Sequence, residues 1–422
     1  MNKKNNSKPN NNTKLNIKSG SSGFQKLNEP APKRDSALES LLHSEHIVEI
    51  EKMAIGGDGV ARITFKDKKL VVFVGKSAPK DVLKIRIIQA EKNFLMASIL
   101  EVVTPGPHRR IAPCEYAGLC GGCSWQQITD EEQLLQKENL LKELFAKFLP
   151  AVKYTLAPSI QSPLLLNYRN RIQLKAQNGL LGYFEDKSHT LVDINKCLIA
   201  DKRINEEIPK LKGALKATDE VVKYELKINQ MDKFENNKIG QKGQGLSFSQ
   251  VNIELNALLV SSVLKLIQQA NVKHITELYA GSGNFSFSII KDNPNMSMEA
   301  VELNPDLTSE ATKKISQSNL QKKLTFFTTD CDSFVKRRNL SKELVLLDPP
   351  RAGCSDIVIS KLSEQLPDHI IYISCHPVSL VRDLQKINLL KNNYLIQNLQ
   401  IFNMFPQTDH FETVVWLKRN QT

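Results

Sequence analysis

Aromatic residues are few, 6% of 422 positions with two tryptophans, and no apolar run is long enough to span a bilayer. A membrane protein is therefore not expected. Residues 1–30 are mostly Asn, Lys and Ser and lack the apolar core of a secretory signal, so the expected location is the cytoplasm. Cysteine is scarce and odd in number: seven, in a chain without an export signal, suit thiols, metal ligands or nucleophiles better than disulfides. Acidic residues are in deficit. The 57 Lys and Arg face 45 Asp and Glu, a net charge of +12, which favours a polyanionic partner because phosphate neutralisation releases counterions. Eight Lys or Arg and three Asp or Glu lie in residues 1–40, so residues 1–42 read as a basic, disordered tail that carries part of the excess. The remainder, 41% hydrophobic and 24% charged overall, is ordinary for a chain of two or three globular domains.

Residues 43–104 read as short strands separated by turns: HIVEIEKM, VARITF, LVVFV, VLKIRIIQ and FLMASILEVV. Five strands at that spacing predict a small closed β-barrel of the oligonucleotide-binding kind, and Arg62, Lys68, Lys69, Lys76, Lys80, Lys84 and Arg86 tilt its partner towards RNA. Residues 105–240 open on a Pro-Gly-Pro break and a cysteine-rich loop. Thr129 and Glu132 form a capping-box pattern ahead of an amphipathic helix that Pro150 ends, and alternating segments near 168–194 read as paired strands. From 241 to 422 helical pattern alternates with apolar runs. HITELY, MEAVEL, LTFFTT, ELVLLD and HIIYIS recur at roughly twenty to twenty-six residues, the repeat of a doubly wound α/β parallel sheet. The last two, YLIQNLQIF and ETVVWLKR, stand closer and suit an antiparallel pair at the edge.

ELYAGSGNFS, from Glu277, sets a Gly-x-Gly turn directly after the first of these strands, where a backbone can approach a ligand closely. Glu302 ends the next strand and could accept hydrogen bonds from both hydroxyls of a ribose. Ser286 stands where a dinucleotide fingerprint has its third glycine, so S-adenosylmethionine fits better than NAD. Asp348, in LLDPPRAG, ends the fourth strand. Arg351 occupies the place where amino-group methyltransferases carry a base-stacking aromatic, so methylation of a ring carbon is the better fit. Such chemistry at carbon 5 of uracil needs a thiolate that adds to carbon 6 and a general base that removes the carbon 5 proton. Cys375, at the end of HIIYIS, offers the thiol, and Asp409, His410 and Glu412 offer a base.

QVN at 250–252, ELYAGSGNF, VELNP, LLDPPRAG, YISCHP and HFETV resemble, in order, the motifs of the RNA uracil-5-methyltransferases that use S-adenosylmethionine. The resemblance covers roughly residues 46–420. It implies Cys375 as nucleophile and Glu412 as base. Gln250, Tyr279, Glu302 and Asp348 match the family's cofactor-binding positions, with Asn284 and Asp330 as further contacts.

Cys114, Cys120 and Cys123, with Cys197 as an isolated fourth, could hold zinc or an iron–sulfur cluster, structural zinc being the commoner use. The pattern resembles that of family members with a [4Fe-4S] cluster, which implies iron in a mixed α+β insert domain. The barrel is similar to the TRAM module found at the start of many relatives, and Arg109, Tyr168, Arg169 and Arg171 could add phosphate contacts. Barrel and cluster together favour ribosomal RNA over transfer RNA as the substrate. Rival readings are a transfer-RNA uracil methyltransferase, an RNA cytosine-5-methyltransferase, and a non-catalytic RNA-binding iron–sulfur protein. No protein partner is indicated, so a monomer is expected.

Overall fold

Alternating burial rolls residues 45–104 into a barrel. In the computed structural model, which describes residues 36–229, 231–239, 250–293, 295–341, 343–387 and 393–420, the six strands here are β1 (Glu45–Glu49), β2 (Lys52–Met53), β3 (Gly59–Phe65), β4 (Lys68–Val74), β5 (Val82–Ala90) and β6 (Phe94–Thr104). Their order is β1-β5-β6-β4-β3-β2. The expected first strand is split at Ile50 and Glu51, and its halves lie on opposite edges, so one segment closes the sheet on itself in a Greek-key arrangement. Leu83, Ile85 and Ile87 of β5 point into its core. The expected tail boundary shifts: residues 1–35 lie outside the described residues, but a short helix α1 (Ser36–Glu39) is formed, and Leu38 and Leu41 are buried in the barrel core.

Residues of the region 105–240 enter three hydrophobic cores. Its helix α2 (Asp130–Phe148) buries Leu141 and Phe145 in a core shared with the C-terminal sheet, and Leu140 in the barrel core. The capping box is absent. Thr129 makes no side-chain cap bond and its Oγ1 is buried without a partner, while Glu132 accepts from Gln136 at 2.7 Å and stands 3.5 Å from His108. The glutamate side chain bonds one turn onward, to Gln136, and not back to the helix start. A separate antiparallel sheet is built from β7 (Arg171–Gln177), β8 (Leu180–Phe184), β9 (Leu191–Asp193), β10 (Val222–Ile228) and β11 (Phe234–Ile239), in the order β11-β10-β7-β8-β9. The helix α3 (Lys202–Gly213) packs Ile204 and Ile208 into its core.

The C-terminal part opens with α4 (Ile253–Ala270) and then alternates: β12 (His274–Leu278), α5 (Ser286–Asp292), β13 (Ser297–Glu302), α6 (Pro305–Gln317), β14 (Leu324–Thr328), α7 (Cys331–Lys336), β15 (Leu344–Leu347), α8 (Asp356–Gln365), β16 (His369–Ser374), α9 (Pro377–Lys386), β17 (Tyr394–Phe402) and β18 (Glu412–Arg419). Strand order is β14-β13-β12-β15-β16-β18-β17. The first five strands pair in parallel, as their spacing predicts, and β18 and β17 run antiparallel at one side. β15 and β16 are buried throughout, as a parallel sheet covered on both faces requires. One face buries residues of α4, α5 and α6, the other residues of α2, α7, α8 and α9. The edge of β17 is covered by residues 156–160, whose Ala157 and Ile160 N–H groups donate to Leu399 and Ile401 at 2.8 Å. Among the described residues no helix is long and apolar enough to cross a membrane.

Candidate active site

The order of strands reverses between β12 and β15, and in open α/β sheets the crevice at that reversal, beyond the carboxyl ends of the strands, is where ligands bind. The loop after β12 carries three residues at positive φ: Tyr279 (65°), Gly281 (58°) and Gly283 (85°). A Cβ at Gly283 would lie 2.7 Å from the Phe287 ring, so this turn needs glycine for space as well as for conformation. Glu302, at the end of β13, fastens the loop: its carboxylate accepts from Gly281 N at 2.9 Å and from Asn304 N at 2.8 Å. Tyr279 accepts from Ser355 N at 3.4 Å. Asn284 exchanges reciprocal amide bonds of 2.9 and 3.0 Å with Asn256 of α4. Asp330 caps α7, and its bond from Ser333 N, 2.7 Å long, holds the carboxyl below its usual range. Gln250 lies half-buried in the segment leading to α4.

Cys375 follows β16 directly. Because β18 runs antiparallel to β16, with Ser374 opposite Thr413, the first residue of β18, Glu412, comes to the same edge as Cys375. Asp348 ends β15 between this pair and the glycine turn. Three carboxyls here are poor in water. Burial pushes Asp348 up to about 7. Burial, and then repulsion from Asp348, raises Glu412 well above the carboxylate range, and its Oε2 has no hydrogen-bond partner among the described residues. Glu277, in β12, is pushed to about 8 by burial, against the opposing bond from Ser286 Oγ. The Cys375 thiol is pushed up to about 12, first by burial and then by Glu412 and Asp348, with the exposed Arg351 pulling the other way.

Sequence reasoning did not single out Glu277. An acid near the end of an apolar strand, next to a glycine turn, was the available signal. His376 has a structural use: it caps α9, accepting from Ser379 N at 3.4 Å, with Pro377 in the first turn. His410 is half-exposed and sits 3.8 Å from Asp409. Its neighbour Asp409 is buried and occupied by Gly56 N and Ser124 Oγ.

Two of the expected phosphate contacts are engaged inside the fold. Arg109 pairs with the buried Asp81 at 2.5 Å, and Tyr168 is buried with its hydroxyl donating to Pro406 O at 3.1 Å. Several barrel cations are also paired: Arg62 with Glu51, Lys80 with Glu49, and Lys84 and Arg86 with Glu45. Cys114, Cys120, Cys123 and Cys197 line one cavity of about 310 Å³, together with Arg169 and Arg171. Among the described residues no three His, Cys, Asp or Glu side chains are grouped closely enough to hold a single metal ion. Burial raises the thiols of Cys120 and Cys197 and pushes Cys123 up to about 12.

Comparison with known proteins decides what this edge belongs to. The family described as tRNA (Uracil-5-)-methyltransferase matches residues 222–420. An uncharacterized RNA methyltransferase of Bdellovibrio bacteriovorus is 39% identical over 392 residues, covering 90% of this chain and 97% of the relative. The chain belongs to the RNA uracil-5-methyltransferase family. A second family member, the 23S rRNA (uracil(1939)-C(5))-methyltransferase RlmD of Legionella pneumophila, is 25% identical over 88% of this chain and 96% of its own. The crystal structure of Pyrococcus abyssi tRNA (uracil-54, C5)-methyltransferase, in complex with S-adenosyl-L-homocysteine, superposes with a TM-score of 0.69 over 88% of this chain and 100% of that one, at 21% identity. The uracil-5-methyltransferase fold therefore extends well beyond the C-terminal sheet, into the N-terminal half of the chain.

Proposed function

We propose that this uracil-5-methyltransferase acts on a uridine of 23S ribosomal RNA, with S-adenosylmethionine as methyl donor, Cys375 as nucleophile and Glu412 as base. The observation that carries the assignment is the pairing of β16 with β18, which brings to the ligand edge of the sheet, beside a thiol, a buried carboxyl whose Oε2 has no hydrogen-bond partner among the described residues. Base flipping delivers the uracil to that edge. The Cys375 thiol gives its proton to water, the resulting thiolate forms a bond to carbon 6, and the displaced electron pair collects as an enolate on carbon 4 oxygen. Carbon 5 then takes the methyl group, and the sulfonium leaves as the neutral thioether S-adenosylhomocysteine. Glu412 removes the carbon 5 proton, the enolate re-forms the ring double bond, and the carbon–sulfur bond to Cys375 breaks. A carboxyl raised by burial is a stronger base than an ordinary one, which suits Glu412. His410, half-exposed and next to Asp409, is the poorer choice.

Gln250, Tyr279, Asn284, Glu302, Asp330 and Asp348 are assigned to the methyl donor. Asp348, pushed up to about 7 by burial, would be stabilised as an anion by the donor's positive sulfonium. The four cysteines are assigned to a [4Fe-4S] cluster. The lining of one cavity by all four thiols supports a shared metal group there, and the resemblance of the cysteine pattern to that of cluster-bearing family members favours iron–sulfur over zinc. Such a group would brace this loop, and methyl transfer has no electron for it to carry. The barrel is assigned to the TRAM class and to RNA. The RlmD relative and the combination of barrel and four cysteines support ribosomal over transfer RNA.

RNA carrying 5-fluorouridine tests the mechanism, because fluorine at carbon 5 cannot leave as a cation and the adduct is trapped. Wild-type protein with S-adenosylmethionine should yield a covalent protein–RNA band on a denaturing gel, and Cys375→Ala should yield none while still binding RNA. An adduct that persists in Cys375→Ala would remove the cysteine from its role. Mapping 5-methyluridine by mass spectrometry in cells with and without the gene identifies the RNA.

A further inference from the structure

We infer that Asp409 is a positioning residue: it fastens the loop carrying Glu412 to the barrel and the cysteine loop, so that these N-terminal elements determine where the base stands. The inference rests on the assignment of Glu412 as base. Asp409 is 8% exposed, and both carboxylate oxygens are occupied. Gly56 N of the β2–β3 turn donates to Oδ2 at 2.9 Å, and Ser124 Oγ, one residue after Cys123, donates to Oδ1 at 3.1 Å. The Asp409 N–H returns a bond of 3.2 Å to Ser124 Oγ. Three otherwise separate parts of the chain therefore meet at one side chain.

The surroundings are just as closely tied. Trp125 N donates to Gln407 O at 3.0 Å, and Trp125 Nε1 donates to Gly57 O at 3.0 Å, so the cysteine loop is held to the base loop and to the barrel turn at once. A Cβ at Gly57 would lie 2.6 Å from Ser124 Cβ, a measure of how closely that turn is pressed on the cysteine loop. Gln407 holds φ of 71°, unusual for a residue with a side chain, and is kept there by Gln133, Asp130 and Arg110. From Asp409 to Glu412 only His410 and Phe411 intervene. A displacement of Asp409 passes to the carboxylate of Glu412 with little slack, whereas Cys375, held on β16 and α9, is not part of this clasp.

That separation dictates the test. Addition by Cys375 should survive loss of the clasp, and removal of the carbon 5 proton should slow, so a covalent intermediate should build up on RNA with ordinary uridine. The full chain bearing Asp409→Ala should lose about 10- to 100-fold in kcat, the scale of a misplacement of about 1 Å. S-adenosylmethionine affinity should be unchanged, and adduct should accumulate as it does in Glu412→Gln measured alongside. Ser124→Ala removes the bond to Asp409 Oδ1 and the acceptor of the Asp409 N–H, leaving Gly56 N on Oδ2, and should move both readings the same way by less. Asp409→Asn, which keeps the shape, should recover part of kcat. Unchanged kcat in Asp409→Ala overturns the inference, as does lost kcat without adduct when Glu412→Gln does trap one. Absence of adduct in Glu412→Gln itself removes the base assignment, and the inference falls with it.

Discussion

Replacing Glu277 by Gln should make the protein more stable, and increasingly so as pH rises. Glu277 is fully buried in β12, its Oε2 bonded by Ser286 Oγ and its Oε1 without a partner among the described residues. Burial keeps the proton on this carboxyl up to about pH 8, whereas in the unfolded chain it leaves near 4.5. Between those values the native state holds a proton that the unfolded state has released, so stability falls as pH rises. The contribution is fully present below about 4.5 and is lost as pH passes about 8. At 1.36 kcal/mol per pH unit the whole window corresponds to at most about 5 kcal/mol. Glutamine has the same shape and can keep a bond to Ser286, but it does not titrate. The difference between the two proteins should therefore be small at pH 5, grow through neutrality and level off above pH 8. Each kcal/mol shifts the melting temperature by roughly 2–4 °C for a domain of this size. Asp348 titrates in both proteins and cancels, apart from its repulsion of Glu277. Thermal unfolding by circular dichroism from pH 5 to 9 measures the effect. A difference that does not change with pH, or a variant less stable throughout, would refute the claim that this carboxyl is carried neutral.

Asp383 should be among the most sensitive positions outside the candidate site. It is 1% exposed and accepts from Cys354 N at 2.8 Å, Tyr372 OH at 2.7 Å and Arg382 Nη2 at 2.6 Å. Asp383→Ala leaves these donors unmatched and should cost about 3 kcal/mol in chemical denaturation, against about 1 kcal/mol for Tyr372→Phe. Protein purified without oxygen should be brown, with iron at about four per chain, and Cys114→Ser should lose the colour. Colourless protein with one zinc per chain would reverse that assignment.

The parallel sheet was legible because its strands are short apolar runs at a regular spacing, and because burial on both faces of β15 and β16 leaves no polar alternation there. The glycine turn, Glu302 and Asp348 were legible for a related reason: in a wound sheet, strand ends converge on one edge whatever the loop lengths. Other features depended on side-chain partners that the local pattern does not specify. Thr129 and Glu132 carry the letters of a capping box, but Glu132 is drawn to Gln136 and His108. The barrel cations could be counted in advance, but not their pairing with Glu45, Glu49 and Glu51. Glu277 passed unremarked because an acid in a strand is usually on a wet face, and only the packed α/β layers make this one dry.

The reversed strand explains why the proposed base, Glu412, is harder to read than the proposed nucleophile, Cys375. Parallel strands bring only their carboxyl ends to the ligand edge, so Cys375 could be located from the end of β16 alone. A group facing it from the neighbouring strand must arrive from the other direction, and β18 does this by running antiparallel, with Glu412 as its first residue. Its position then depends on the chain that precedes it, residues 403–411, and that loop takes its bonds from α2, the cysteine loop and the barrel. Lys137 of α2, buried and pushed down to about 7 by loss of water, donates to Asn403 at 2.5 Å within the same set. The proposed nucleophile thus belongs to the sheet, and the carboxyl opposite it belongs equally to the elements in front. Changes in the barrel or the cysteine loop should therefore bear on removal of the carbon 5 proton before they bear on attack at carbon 6.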